Sequence, residues 1–134
     1  MITREADYAV RVMLLLARRE RAGEGGASTL EIAGEMEIPY RFLRKLVKRM
    51  VDGGLLRTRR GKGGGLELAR SAERISLFDI LDVMSPTGTR LSLCIATPAA
   101  CRRAGTCRMH RVIAAIQTSM DQQLRSVPLA SLAD

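Results

Sequence analysis

Three cysteines and one histidine lie close together in the second half of the chain. Cys94, Cys101, Cys107 and His110 follow one another with the spacing C-x6-C-x5-C-x2-H. Thiolates and imidazoles are the donors that zinc and iron–sulfur clusters use, and residues three apart, such as Cys107 and His110, share one face of a helix. The spacing therefore predicts a metal site in this segment and leaves zinc and an iron–sulfur cluster open.

The same thiols could also work without a metal. Arg102, Arg103 and Arg108 adjoin them, and positive charge beside a cysteine is typical of redox-active thiols. An odd number of clustered cysteines does not indicate a disulfide framework and favours a cytoplasmic protein. An enzyme with a nucleophilic cysteine is disfavoured, because His110 is the only histidine and no group to orient it is evident.

The positive charge of the chain is concentrated in one window. Residues 40–62 contain nine Lys or Arg residues and one acidic residue, which accounts for the whole net charge of +8. A local patch of this density suits a polyanion, either nucleic acid or an anionic membrane. No stretch reaches the ~18 apolar residues that a membrane-spanning helix needs. We therefore expect a cytoplasmic protein without a membrane partner.

Capping signals and apolar spacing predict the elements that position these residues. Glycines lie between several of these predicted elements, where they favour turns. The first half is predicted to contain a helix from Thr3 to about Arg19, a flexible loop over 20–27, a helix from Ser28 to about Met36 opened by a capping box with Glu31, a turn over 37–39, and a helix from Pro39 to Asp52. Two strands over 55–60 and 66–68 follow. The second half is predicted to contain a helix from Ser76 to Met84 capped through Asp79, an aperiodic segment over 87–106, and a helix from Cys107 to Pro128.

This order predicts a mainly α fold: a winged helix-turn-helix with a two-stranded hairpin wing and a long C-terminal dimerisation helix. We expect residues 1–72 to form the DNA-binding region and residues 73–134 to carry the cysteine loop and the dimerisation helix, within one compact domain whose dimer exchanges contacts. Apolar residues on the last helix recur at alternating spacings of four and three, which is typical of a helix that packs against a partner. They are Met109, Ile113, Ile116 and Met120.

The basic window falls on the second helix of the helix-turn-helix and on the hairpin. The second helix of such a motif lies in the major groove, and a basic hairpin beside it reaches the backbone or the minor groove. The predicted DNA-binding residues are Tyr40, Arg41, Arg44, Lys45, Lys48, Arg59, Arg60 and Lys62. A nucleotide-binding phosphate loop is disfavoured, because no Ser or Thr follows Gly61-Lys62 and no helix follows the glycines.

In these features the sequence resembles the Rrf-type (Rrf-two) winged-helix regulators of bacteria. The resemblance covers nearly the whole chain. It rests on Asp7-Tyr8-Ala9-Val10-Arg11, Glu31-Ile32-Ala33, Ile38 to Leu46, Gly54-Leu55-Leu56, Arg60 to Gly65 with Leu68, the three cysteines, and the tail from Leu129 to Asp134.

The resemblance implies a homodimer, joined mainly through the C-terminal helix, whose two recognition helices read a palindromic double-stranded operator. It also implies that Cys94, Cys101 and Cys107 hold an iron–sulfur cluster. His110 matches the fourth ligand of the members with a 2Fe-2S centre, and Asp7 matches the aspartate of the nitric-oxide sensors with a 4Fe-4S centre. The run Asp7-Tyr8-Ala9 is most similar to the sensors, which favours Asp7.

We therefore expect a DNA-binding repressor that responds to nitric oxide, redox state or iron–sulfur supply by reshaping the loop over 92–107 and the attached helix. The alternatives are a metal-free thiol-redox regulator and a zinc-stabilised regulator. A further alternative is an adaptor whose basic patch binds an acidic protein. Selective binding to duplex DNA over other polyanions would distinguish a DNA-binding regulator from such an adaptor. An iron–sulfur carrier is disfavoured because it has no need of a basic wing.

Overall fold

The computed structural model describes residues 2–62 and 64–133. Gly63 and Asp134, which both contribute to the resemblance, lie outside the described residues. The helices and strands are α1 (Arg4–Arg21), α2 (Thr29–Met36), α3 (Tyr40–Asp52), β1 (Leu56–Arg59), β2 (Gly65–Leu68), α4 (Leu77–Met84), α5 (Leu93–Ala96) and α6 (Arg108–Arg125). Short 3-10 helices are formed by Ala72–Arg74 before α4, by Pro98–Ala100 between α5 and α6, and by Leu129–Leu132 after α6. The predicted winged helix-turn-helix is confirmed.

Capping residues set the starts of α1, α2 and α4 where the sequence predicts them. The Thr3 hydroxyl accepts a hydrogen bond from the Ala6 N–H at 3.1 Å and begins α1. Ser28 and Glu31 form a reciprocal capping box, in which the hydrogen bond from the Ser28 backbone lowers the pKa of Glu31. Ser76 and Asp79 form a second capping box at α4. These hydrogen bonds satisfy backbone N–H groups that have no partner inside a helix.

The apolar stripe of α1 lies at the centre of a single core. Ala9, Val12 and Met13 are fully buried. Around them, α1 contacts α2, α3, α4, β2 and the last 3-10 helix. The recognition helix and the C-terminal part of the chain are therefore packed on the same helix.

The wing is held to the body by a contact that the sequence does not predict. β1 and β2 pair antiparallel, from Leu56 opposite Leu68 to Arg59 opposite Gly65. Ala27, at the end of the loop predicted to be flexible, exchanges two backbone hydrogen bonds with Leu66, at 2.7 and 3.0 Å. Gly65 has φ +123°, and a Cβ there would lie 2.7 Å from the Ala27 backbone. This close approach requires glycine and corrects the prediction that residues 20–27 are only a flexible surface loop.

Two further boundaries differ from the prediction. The segment over 87–106, predicted to be aperiodic, contains α5 and a 3-10 helix, so Cys94 lies on a helical turn. Elements of one turn are too short to produce a periodic apolar pattern. The last helix ends at Arg125 instead of Pro128, because the chain turns back and the Leu77 N–H donates to the Val127 carbonyl at 2.9 Å.

Candidate nucleic-acid interface and cysteine segment

One face of α3 carries four long basic side chains. Arg41, Arg44, Lys45 and Lys48 are exposed and line the same open depression on the surface. The opposite face buries Leu43, Leu46 and Met50 in the core. The amphipathic pattern of α3 therefore fixes which way the charges point, and we name these four residues the basic face.

The charges of the basic face are not equivalent. Lys48 donates a hydrogen bond to the Asp52 carboxylate at 2.7 Å, and this bond raises the pKa of Lys48. Arg44 lies over the Tyr40 ring, 6.0 Å from its centroid. Arg41, Arg44 and Lys45 form no ion pair within residues 2–62 and 64–133. These three side chains carry the uncompensated charge that a phosphate backbone would attract.

Arg49 belongs to the basic window but points away from the basic face. Its guanidinium binds the Glu5 carboxylate of α1, and its second terminal nitrogen donates to the Met84 carbonyl at 2.8 Å. Met84 is the last residue of α4. Arg49 thus ties the recognition helix to α1 and α4, a structural role that charge counting alone does not reveal.

Some of the basic side chains on the wing form ion pairs within the wing itself. Glu67 lies opposite Arg57 in the strand register and binds it at 2.6 Å, while Arg59 approaches the same carboxylate at 3.8 Å. Arg60 and Lys62 are exposed at the hairpin turn. A correct strand register would have predicted the Arg57–Glu67 pair, because residues directly opposite interact.

The three cysteines are free, half-buried thiols in the connection between α4 and α6, which we name the cysteine segment (residues 85–107). Cys94 lies on α5, with its sulfur 3.0 Å from the Ser92 hydroxyl oxygen. Cys101 follows the 3-10 helix Pro98–Ala100. Cys107 is the N-cap of α6, where its sulfur accepts the His110 backbone N–H at 3.5 Å.

The two candidate fourth ligands differ in their surroundings. Nδ1 of His110 is buried and has no hydrogen-bond partner in the described part of the chain. A buried polar atom without a partner costs free energy unless a ligand, ion or water satisfies it. Asp7, on α1, binds Arg11 at 2.8 Å.

The structure brings Cys107 and His110 together at the start of α6. Within residues 2–62 and 64–133, no group of three or more Cys, His, Asp or Glu side chains is gathered closely enough to hold a metal ion. The donors themselves fit a thiophilic metal or an iron–sulfur cluster, since three free thiols and an unsatisfied imidazole nitrogen occur on one segment and the adjoining helix turn.

The outer face of α6 leaves apolar side chains in solvent. Met109 is 64% exposed and Ile116 is 50% exposed, whereas Ile113 and Met120 are half-buried. Val112 is also exposed, and the spacing argument did not include it. An exposed apolar stripe on one helix is typical of a protein–protein contact.

A sequence profile of the Rrf2 family, described as an iron-dependent transcriptional regulator, matches residues 2–134. The chain belongs to the Rrf2 family. It is thus a DNA-binding transcriptional regulator, and its relatives are regulators and not enzymes. In the described part of this Rrf2 protein, no helix is both long and apolar enough to cross a membrane.

Curated relatives cover this Rrf2 protein to different extents. The HTH-type transcriptional regulator NsrR of Shouchella clausii is 27% identical over 128 residues, which are 90% of this chain and 83% of the relative. Protein aau3 of Rhizobium meliloti is 35% identical over 82 residues, or 61% of this chain. That match spans about half of aau3, 51% of its length.

Solved structures share the fold of this Rrf2 protein over its whole length. IscR of T. potens has a TM-score of 0.76 and 25% identity, covering 98% of this chain and 85% of its own. The oxidized form of CymR from Staphylococcus aureus has a TM-score of 0.73 and 27% identity, covering 100% of this chain and 96% of its own.

The basic face predicts a specific change in the salt dependence of DNA binding. Arg44→Ala removes an uncompensated charge, so the slope of log K against log salt concentration should become shallower by about one unit for duplex DNA. The matched control is Arg74→Ala, which removes an exposed arginine outside the basic face. Fluorescence anisotropy at several salt concentrations measures both slopes. Equal slopes for the wild type and Arg44→Ala would contradict the placement of α3 against the phosphates.

Proposed function

We propose that this Rrf2 regulator is a sensing repressor, in which a group held by the cysteine segment controls binding to a palindromic operator. The observation that carries the proposal is the occurrence of three free thiols, Cys94, Cys101 and Cys107, on one segment, with the buried and unsatisfied Nδ1 of His110 on the adjoining helix turn. This donor set suits both zinc and an iron–sulfur cluster, and of the two we choose the cluster, 4Fe-4S or 2Fe-2S. The description of the family as iron-dependent supports the same choice.

The connections of the cysteine segment support a regulatory role. The segment begins where α4 ends, and Arg49 of the recognition helix binds the carbonyl of Met84 at that point. It ends at Cys107, the N-cap of α6. A change in the segment would therefore act on the DNA-reading residues 1–72 through α4 and on the dimerisation region through α6. When bound, the cluster would supply the chemistry that responds to iron, oxygen or nitric oxide.

Both candidate fourth ligands remain in the proposal. The unsatisfied Nδ1 supports His110, because metal coordination would satisfy it without breaking a contact. Asp7 would first have to leave Arg11. The resemblance to the nitric-oxide sensors supports Asp7, which would then act across the dimer.

The cluster is tested by an anaerobic absorption spectrum with iron and sulfide assays. We expect a coloured protein that contains iron and sulfide, and we expect Cys101→Ala to lose most of both because it removes a thiolate ligand. Thr106→Ala, an exposed change in the same segment, is the control and should keep them. Parallel losses in His110→Ala or Asp7→Ala assign the fourth ligand. A colourless wild type after reconstitution, or a Cys101→Ala variant with full iron and sulfide, would sink the cluster proposal.

A thiol-redox repressor without metal is the second candidate. It is favoured by the presence of three free thiols in one short segment and by the likeness to CymR of Staphylococcus aureus, whose structure was solved in an oxidized form. In this case the colourless protein would keep its DNA binding when reduced and change it when oxidised. A zinc-stabilised regulator would instead contain zinc and no sulfide.

The exposed stripe of α6 supports a homodimer. Placing Met109 and Ile116 against the same residues of a second copy would remove apolar surface from water, which stabilises by about 25 cal/mol per Å² buried. A two-fold arrangement of this kind would also present two α3 helices to a palindromic site.

The dimer contact is tested by introducing a charge on the stripe. Ile116→Glu would bury an unpaired carboxylate at the contact and should raise the dimer dissociation constant at least about tenfold. Sedimentation velocity over a range of protein concentrations measures the change. Thr118→Glu adds the same charge at an exposed position about half a helical turn away and should leave the dimer intact. A dimer that tolerates Ile116→Glu as well as Thr118→Glu would place the contact elsewhere.

A further inference from the structure

The middle of α6 contains a buried amide. Gln117 is 5% exposed and is the one buried polar side chain in the described part of the chain. Its Oε1 accepts the Leu91 N–H at 2.7 Å, and its Nε2 donates to the Thr89 carbonyl at 3.1 Å. Nε2 also donates to the Asp121 carboxylate at 2.7 Å. The amide is thus satisfied mainly by the backbone of the cysteine segment.

Asp121 reinforces the same attachment one helical turn further along α6. Its carboxylate accepts a hydrogen bond from the Thr89 hydroxyl at 3.0 Å and from the Arg90 guanidinium at 3.5 Å. Two side chains of α6 therefore hold three consecutive residues of the cysteine segment. We name Gln117 and Asp121, together with residues 89–91, the polar clamp.

The polar clamp lies directly before the first thiol. Ser92 follows Leu91, and the Ser92 hydroxyl oxygen lies 3.0 Å from the Cys94 sulfur. The other end of the segment is fixed independently, because the Cys107 sulfur accepts a backbone N–H of α6 itself. The segment is thus held to α6 near both of its ends, and α5, which carries Cys94, also packs against α6.

Because Gln117 is buried, breaking its hydrogen bonds in the polar clamp costs free energy. If residues 89–91 moved only partly away, the buried amide of Gln117 would lose its backbone partners before water could replace them, whereas Thr89 is half-buried and Leu91 is exposed. Buried polar groups without partners are costly, so a partly broken clamp is disfavoured relative to a closed or a fully open one.

We infer that Gln117 is a positioning residue that, with Asp121, holds Cys94 in place and links the state of the cysteine segment to the middle of α6. Positioning of Cys94 requires no bound group. The regulatory consequence, that a change at Cys94 would be transmitted to α6, rests on the proposed sensing function.

The test measures the alkylation rate of each cysteine in the full-length, reduced, chelator-treated protein by mass spectrometry. Gln117→Met keeps the size of the side chain and removes its hydrogen bonds. The matched control is Gln123→Met on the exposed side of the same helix, where the amide donates only to Ser119 at 3.4 Å. Cys107 in the same molecules is the internal reference.

We expect the ratio of the Cys94 rate to the Cys107 rate to rise about tenfold in Gln117→Met, because local opening exposes the first thiol alone. Gln123→Met should leave the ratio unchanged. Asp121→Ala should raise it by a smaller factor, and the double variant should not multiply the two effects, since both act on one clamp. An unchanged ratio in both Gln117→Met and Asp121→Ala overturns the inference. If Gln117→Met fails to fold by circular dichroism, Asp121→Ala decides alone.

Together with the iron and sulfide assays, the alkylation rates distinguish failure of the cluster proposal from failure of the positioning role of Gln117. A protein that binds no iron but shows the expected Cys94 effect would refute the cluster and keep the positioning role of Gln117. A protein that holds a cluster, with a Cys94 rate indifferent to both clamp variants, would keep the proposed function and refute the positioning role.

Discussion

The burial of α1 is the constraint on which the other parts depend. Its apolar stripe, with Ala9, Val12 and Met13 fully buried, contacts the recognition helix, the wing strand β2, α4 and the C-terminal 3-10 helix. Because one helix supports all of these elements, the packing of α3, the wing and α4, from which the cysteine segment continues, is not independent. The Arg49 bridge between Glu5 and the Met84 carbonyl adds a polar link along the same route.

Much of the fold could be predicted from the sequence because its signals are local. Ser28 with Glu31 and Ser76 with Asp79 predict where α2 and α4 begin, because each pair can form hydrogen bonds within four residues of the chain. The structure contains both capping boxes. The pairing of Ala27 with Leu66 was not predictable in this way, since it depends on where the wing lies relative to the preceding loop. The one-turn helix α5 was missed because four residues produce no period.

The candidate site shows the same division between local and tertiary information. Charge counting found the window that contains α3, but it could not tell that Arg49 faces inward while Arg44 and Lys45 face solvent. Spacing found the cysteines and His110, but the clustering of charge and thiols gave no sign of the bonds that Gln117 makes to residues 89–91. The bonds of Gln117 join residues that are distant in the chain, and which residues meet there depends on the packing of the whole structure.

The proposed function requires that the state of the cysteine segment controls DNA binding. The most direct measurement is the affinity of one protein preparation, first with its anaerobically assembled iron–sulfur group and then after chelation, for a duplex selected by this protein from a random library, at one fixed salt concentration. We expect affinities that differ at least about tenfold, corresponding to a coupling free energy of ~1.4 kcal/mol. Equal affinities for the two forms would contradict control by the cluster and leave the thiol-redox regulator or a DNA-binding protein that does not sense through this segment.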